Sequence, residues 1–209
     1  DSDGQMVASV LSKKAAVGAK RVLIDVPVGP TAKVRSAKTA AALAERLRAV
    51  GEAIGLTLSI HQSDGTAPVG RGIGPSLEAQ DVLDVLRRDE NSPVDLRDRA
   101  LDIAGALLDL VPETGGAGGR TVAAQLLVSG AAEAKFMAIC DAQGGFTEPG
   151  EARYHAVITS RKAGRLIAID NRRIARTAKL AGAPRQHLAG LRLLVQIGDH
   201  IEFGKPLFE

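Results

Sequence analysis

The sequence has very few aromatic residues: four Phe, one Tyr and no Trp among 209 residues. Proteins that bind single-stranded nucleic acid stack bases on such side chains. Lys and Arg are mostly interleaved with acids, as in Arg87–Glu90 and Asp95–Arg99, which is typical of solvated helix faces. With a net charge of +3, the sequence predicts no nucleic-acid partner, and a small anionic substrate accounts equally well for the basic excess.

Cysteine is also scarce, because Cys140 is the only one in the chain. A single cysteine excludes an internal disulfide framework and agrees with a reducing cytosol. The sequence has no apolar run long enough to span a bilayer and no signal-peptide pattern, so a soluble, cytoplasmic protein without membrane contact is expected.

Histidine is scattered, at His61, His155, His187 and His200, without the spacing of metal ligands. Each is expected to be structural or exposed, and no metal is predicted. The predicted role of Cys140 is that of a small buried hydrophobe.

Hydrophobic residues make up 45% of the chain, enough for one large domain or two small ones. A first helix is predicted at residues 3–17. It is followed by a predicted strand in the apolar run Arg21–Val28, a predicted helix in the Ala-rich segment 36–54, and a second predicted strand, Leu56–His61. Strand, helix, strand is the signature of a parallel crossover. The sequence therefore predicts an α/β fold with part of a mixed or parallel sheet and flanking helices.

The rest of the chain divides into two stretches of different character. Residues 93–145 predict helices, whereas 151–209 predict short strands with one helix near 171–181. The turn-rich segment 146–151 separates them, so we predict an α/β domain portion at 1–145 and a carboxy-terminal α/β domain at 146–209. The turn Gly198-Asp-x-x-x-x-Gly204 is similar to biotinyl- and lipoyl-type domains, but without their carrier lysine, which favours a structural, β-rich, hammerhead-like lobe.

A polar stripe runs along the first predicted helix. Gln5, Ser9 and Lys13 are four residues apart and therefore share one side of the helix. A hydroxyl and an ammonium in line can hold a planar, oxygen-rich ligand. Ser9 lies inside a helix rather than on a strand–turn–helix elbow, so a binding role is predicted rather than a nucleophilic one.

Lys33 is a further candidate ligand-binding residue. It lies in a loop, 29–35, that follows the first predicted parallel strand. Ligands of open α/β sheets bind at the carboxyl ends of the strands. A solvated loop lysine without a ligand remains the alternative.

The glycine-rich segment Gly70–Pro75 follows a strand and precedes a helix, but Pro75 stands where a dinucleotide-binding loop requires its third glycine. A tight turn feeding a helix is the favoured interpretation. An anion at the helix N-terminus is the alternative.

Several segments resemble the thymidine and pyrimidine-nucleoside phosphorylase family. Gln5–Ala19 is similar to its substrate-binding helix, and Val69–Leu83 resembles the branch that includes archaeal AMP phosphorylase. Ser129–Phe136 and Gly182–Gly190 continue the resemblance in the same order. The similarity covers nearly the whole chain.

The resemblance implies a helical domain joined to an α/β domain, with a β-rich carboxy-terminal lobe. It also implies phosphorolysis of a nucleoside or nucleotide, with inorganic phosphate as co-substrate, no cofactor and a homodimer. In the AMP-phosphorylase branch the proton donor to the departing base corresponds to Asp1, and nucleotide-binding residues correspond to Ser9 and Lys33. In thymidine phosphorylases the serine and lysine that contact the pyrimidine correspond to Ser9 and Lys13.

The chain departs from the family in one respect. The Gly- and Ser-rich phosphate-binding segment and most of the helical domain are expected before residue 1. We therefore expect a carboxy-terminal portion of a phosphorylase that is inactive alone. Thymidine phosphorolysis is the predicted activity of the whole enzyme, with AMP phosphorolysis and a non-catalytic assembly module as the alternatives.

Overall fold

A computed structural model describes residues 3–111, 113 and 118–209, without the side chain of Asp3. The described residues form seven helices: α1 Asp3–Ala16, α2 Ala37–Ala53, α3 Pro75–Leu86, α4 Val94–Leu108, α5 Gly119–Val128, α6 Ala131–Ala142 and α7 Asn171–Ala181. They also form eight strands: β1 Arg21–Val28, β2 Thr57–Asp64, β3 Gly72–Ile73, β4 Ile158–Thr159, β5 Gly164–Arg165, β6 Leu191–Arg192, β7 His200–Ile201 and β8 Pro206–Phe208. The predicted α/β class is confirmed.

The chain divides into two compact units. Unit 1 comprises residues 1–66 and 101–123, and unit 2 comprises 67–100 and 124–209. The domain boundary predicted at residues 145–146 stays a prediction.

Unit 1 contains the predicted parallel crossover. Strands β1 and β2 pair in parallel from Arg21 opposite Thr57 to Val28 opposite Asp64. Helix α2 connects them and begins after Ser36, whose hydroxyl accepts the Thr39 N–H at 3.2 Å. Such an N-cap satisfies one of the donors that the first turn leaves unpaired. The strand–helix–strand prediction is confirmed.

The core of unit 1 lies between the sheet and two helices. Buried side chains from α1, β1, α2, the loop after β1 and the residue before β2 form one cluster: Val7, Leu11, Val22, Val26, Val34, Ala40, Leu43, Leu47 and Leu56. Val22 and Val26 are an even number of residues apart, so they face the same side of the strand. Because the helices cover that side, the loop after β1 is attached to a packed scaffold.

Unit 2 contains three short antiparallel pairs: β3 with β6, β4 with β8, and β5 with β7. The strands predicted over 154–158, 164–169 and 191–195 are longer than those observed, which have two residues each. Tyr154 and Ile167 are 82% and 83% exposed, so the ends of these apolar runs lie outside any core. These pairs do not confirm the hammerhead-like arrangement.

In the described part of the chain, no single helix has the length and apolar composition needed to cross a bilayer. The bent pair α5 and α6 meets that test when the two helices are taken together.

Candidate functional site

Helix α1 positions two of the predicted ligand-binding side chains. Val7 and Leu11 are buried in the core of unit 1, whereas Ser9 and Lys13 are exposed. The predicted alignment of Ser9 and Lys13 on one side of a helix agrees with this geometry. The predicted proton donor, Asp1, lies outside the described residues.

The loop after β1 turns back tightly and carries Lys33. The Gly29 N–H donates to the Val34 carbonyl at 3.1 Å, and Val34 forms an isolated bridge with Val28. A side chain at Gly29 would collide with the Gly65 backbone, so glycine permits this close approach. The loop backbone is therefore fixed to the strand, while Lys33, one residue before the buried Val34, is exposed.

A cavity of about 340 Å³ lies beside this loop in unit 1. Helices α1 and α2, strand β1 and the loop after β1 contribute its lining, which is mostly apolar: Met6, Val10, Ile24, Asp25, Val26, Pro27, Ala32, Lys33, Val34, Leu43 and Leu47. Lys33 is the one cation among these lining residues. A mostly apolar cavity with a few polar groups is the usual form of a small-molecule site.

The structure brings only part of the predicted site to this cavity. Met6 and Val10 of α1 line it, whereas Ser9 and Lys13, on the exposed side of the same helix, are not among its described lining residues. Lys33 is thus the predicted ligand-binding residue that the cavity contains. The roles predicted for Ser9 and Lys13 stay predictions.

Asp25 was missed by the sequence reasoning. Its Oδ2 accepts a hydrogen bond from the Ser63 hydroxyl at 3.0 Å, while its Oδ1 is buried with no hydrogen-bond partner among the described residues. A buried oxygen of this kind costs free energy. The signal in the sequence was a carboxylate inside the apolar run between Ile24 and Val26.

The glycine-rich loop of unit 2 uses its donors internally. Four of its backbone N–H groups donate to carboxylates of the same unit: Gly70 to Asp95 (3.2 Å), Arg71 and Gly72 to Asp81 (2.6 and 2.7 Å), and Gly74 to Glu78 (3.0 Å). An anion cradle needs such groups free to point at the ligand. The interpretation as a tight turn before a helix therefore agrees with the geometry, and an anion site does not.

Unit 1 thus has the features of a small-molecule-binding α/β protein, with a lysine near the carboxyl end of a parallel strand. The chain is 55% identical over 208 residues to a protein of Acidovorax sp. (strain JS42) named "Putative thymidine phosphorylase 1". This alignment covers 100% of the chain and 41% of the relative.

Two further relatives bear similar names. A protein of Cupriavidus necator named "Putative thymidine phosphorylase 1" is 52% identical over 207 residues, 99% of the chain and 40% of the relative. A protein of Legionella pneumophila (strain Paris) named "Putative thymidine phosphorylase" is 50% identical over 208 residues, 100% of the chain and 40% of the relative.

The chain is therefore similar over its whole length to proteins named as thymidine phosphorylases, and the resemblance inferred from its motifs is confirmed. It spans about two fifths of the length of these curated relatives. No protein-family model matches the chain.

Proposed function

We propose that the chain is the carboxy-terminal portion of a thymidine phosphorylase, a pentosyltransferase that uses phosphate to cleave thymidine into thymine and 2-deoxyribose 1-phosphate. The observation that carries this proposal is the position of Lys33, which follows the carboxyl end of β1 and lines a largely apolar cavity. The chain is similar over its whole length to proteins with that name. The whole enzyme would be a cytoplasmic homodimer that needs no cofactor besides its co-substrate phosphate.

The proposed chemistry needs stabilisation of the departing base. The base leaves with developing negative charge, which a positioned acid or hydrogen-bond donor stabilises in the transition state. We assign proton donation to Asp1 and contacts with the base or sugar to Ser9 and Lys13. Lys33 supplies a flexible positive charge, which suits an anionic group of the substrate.

A phosphorolysis assay tests this proposal. Thymidine, uridine, AMP or CMP is supplied with phosphate, and free base is followed, with the chain alone and with any longer protein that its gene encodes. Thymine release with AMP untouched supports the nucleoside activity. Adenine release from AMP would instead favour AMP phosphorolysis, for which Lys33 and Arg35, two cations of one loop, offer charge for a second phosphate.

The same assay tests the role of Asp1 in the active protein. Asp1→Asn should lower kcat far more than it raises KM, because an acid acting on the leaving base contributes mainly in the transition state. Removing one such group typically costs about a hundredfold or more in rate. An unchanged kcat would remove Asp1 from the mechanism.

Substrate comparison tests Lys33. Lys33→Ala should raise KM for a 5′-phosphorylated substrate by about tenfold or more, since it deletes a charge-assisted contact, and should affect an uncharged nucleoside much less. Lys38→Ala is a matched control, because Lys38 is an exposed cation of α2. Equal losses for both substrates would contradict a phosphate contact.

A further inference from the structure

Positive charge is concentrated at one end of the sequence. Residues 152–209 contain eleven Lys and Arg against four Asp and Glu, whereas residues 1–151 contain sixteen against twenty. The net charges are therefore +7 and −4, which the overall +3 conceals. The expectation of no nucleic-acid partner rested on the scarcity of aromatic residues, on the interleaved charges and on the net charge of the whole chain. An asymmetry of charge between the two parts of the chain instead suggests a nucleic-acid or membrane partner. All of 152–209 lies in unit 2.

Helix α7 carries the densest part of this charge. Arg173, Arg176 and Lys179 follow one another at spacings of three residues and are exposed, so they form one face of the helix. We call these three residues the basic face. In the described part of the chain, no ion pair involves any of them.

The charge of α7 opposes its own stability. Arg172 and Arg173 lie in the first turn, where the helix dipole disfavours cations, and like charges three residues apart repel. The N-cap carboxylate of Asp170 accepts the backbone N–H groups of Arg172 and Arg173 at 2.9 and 3.1 Å. An anionic partner on the basic face would relieve this repulsion.

A second feature adjoins the helix. A cavity of about 670 Å³ is lined by Thr177 and Ala181 of α7 together with Arg153 and Tyr154. Tyr154 is 82% exposed, and the Arg153 guanidinium carbon lies 5.5 Å from the centroid of its ring. Exposed aromatic rings beside cations are the elements from which single-strand sites are built: phosphates meet the cations and a base stacks on the ring.

We propose that unit 2 binds single-stranded nucleic acid, with backbone phosphates on the basic face and a base stacked on Tyr154. A second copy of the chain is a weaker candidate, because carboxylates such as Asp81, Asp95 and Glu133 already bind groups of their own unit. The proposal is independent of the proposed phosphorolysis.

The test measures binding of a fluorescein-labelled 12-nucleotide uridine oligomer to the 209-residue chain by anisotropy, across a salt series. The triple substitution R173Q/R176Q/K179Q should weaken binding about tenfold or more. It should also reduce the slope of log affinity against log salt by about 2, because each phosphate contact on a single strand contributes about 0.7. Tyr154→Ala should weaken binding about tenfold with the slope unchanged.

Two matched variants serve as controls. K20Q/K38Q/R48Q removes three exposed cations of unit 1 and should leave the slope nearly unchanged, and R173K/R176K keeps the charge and should keep the slope. The proposal is overturned if the wild-type chain does not bind at low salt, or if the control triple loses as much affinity as the basic-face triple. Equal competition by uridine 5′-monophosphate at matched phosphate concentration would also overturn it, since the site would then take a free nucleotide.

Discussion

Asp81 offers a sharp test of how unit 2 is stabilised. Its side chain is 3% exposed, and its Oδ2 accepts the N–H groups of Arg71 and Gly72 at 2.6 and 2.7 Å. The other oxygen lies 3.9 Å from the Arg192 guanidinium. Because Gly72 pairs with Arg192 across β3 and β6, this one carboxylate joins α3 to the short sheet beside it.

The cost of removing the carboxylate follows from these contacts. A hydrogen bond to a charged group contributes about 1.5–3 kcal/mol, and Asp81→Ala deletes two of them and leaves two N–H groups unpaired. The expected loss is about 3–5 kcal/mol, the usual range for breaking a buried charged interaction. Asp81→Asn keeps one oxygen that can accept both N–H groups without the charge, so its expected loss is about 1–3 kcal/mol.

Urea unfolding measures these losses. With a slope of about 2 kcal/mol per M urea, Asp81→Ala should lower the midpoint of unfolding by about 2 M. Amide hydrogen exchange adds local information, because the Arg71 and Gly72 amides should lose protection in both variants. Asp84→Ala is the matched control: Asp84 is on the same helix and accepts one bond, from the Gln80 amide at 2.6 Å. A midpoint for Asp81→Ala equal to that of the control would refute the reasoning.

Two other substitutions test close contacts within single units, by the same unfolding measurement. Gly105→Ala places a methyl group 2.6 Å from the Cα of Arg120, and should cost about 1–3 kcal/mol by overpacking; no change in midpoint would show that the helices separate freely. Arg88 has a φ of 62° and donates to Glu133 at 3.0 Å and to the Leu86 carbonyl at 2.8 Å. Arg88→Ala should therefore be less stable than Arg88→Gly by about 1 kcal/mol, since only glycine relieves the left-handed backbone, and the reverse order would contradict this.

The crossover of unit 1 could be predicted from the sequence because each of its elements carries local signals. The continuous apolar run at Arg21–Val28 is the strand observed, and Ser36 is the N-cap of α2. Gly18, which directly follows the first helix predicted at residues 3–17, has a φ of 71°, a conformation that glycine adopts readily. The apolar pattern, the helix cap and the glycine all indicated the same elements, and prediction from local sequence succeeds where such signals agree.

The strands of unit 2 were harder to predict, because their pairing is set by distant partners. Ile158 pairs with Phe208, fifty residues away, and Gly164 with Ile201. Strand preference depends on packing against such neighbours more than on the local residues. The apolar run that contains Ile167 predicted a strand to residue 169, yet the pairing ends at Arg165, and Ile167 is 83% exposed.

The candidate site was predictable only where position in the sheet decided it. The prediction that Lys33 binds a ligand followed from the rule that ligands bind at the carboxyl ends of parallel strands. In the structure, Lys33 lines a cavity. The partners of the glycine-rich loop were not predictable, since Asp95 lies 25 residues from Gly70. No spacing rule connects residues so far apart.

Two candidate positions for an anionic group of a small substrate, the glycine-rich loop and Lys33, differ in what binding would cost. A phosphate at the glycine-rich loop would have to displace the carboxylates of Asp81, Asp95 and Glu78, and Asp81 would then be a buried charge without its partners. Such a change costs several kcal/mol. A phosphate near Lys33 displaces no carboxylate bonded to that side chain among the described residues and gains an exposed cation. The carboxylate of Asp25, which lines the same cavity, repels an anion there but needs no displacement. Of these two positions, Lys33 in unit 1 should therefore be the one that binds an anionic substrate group.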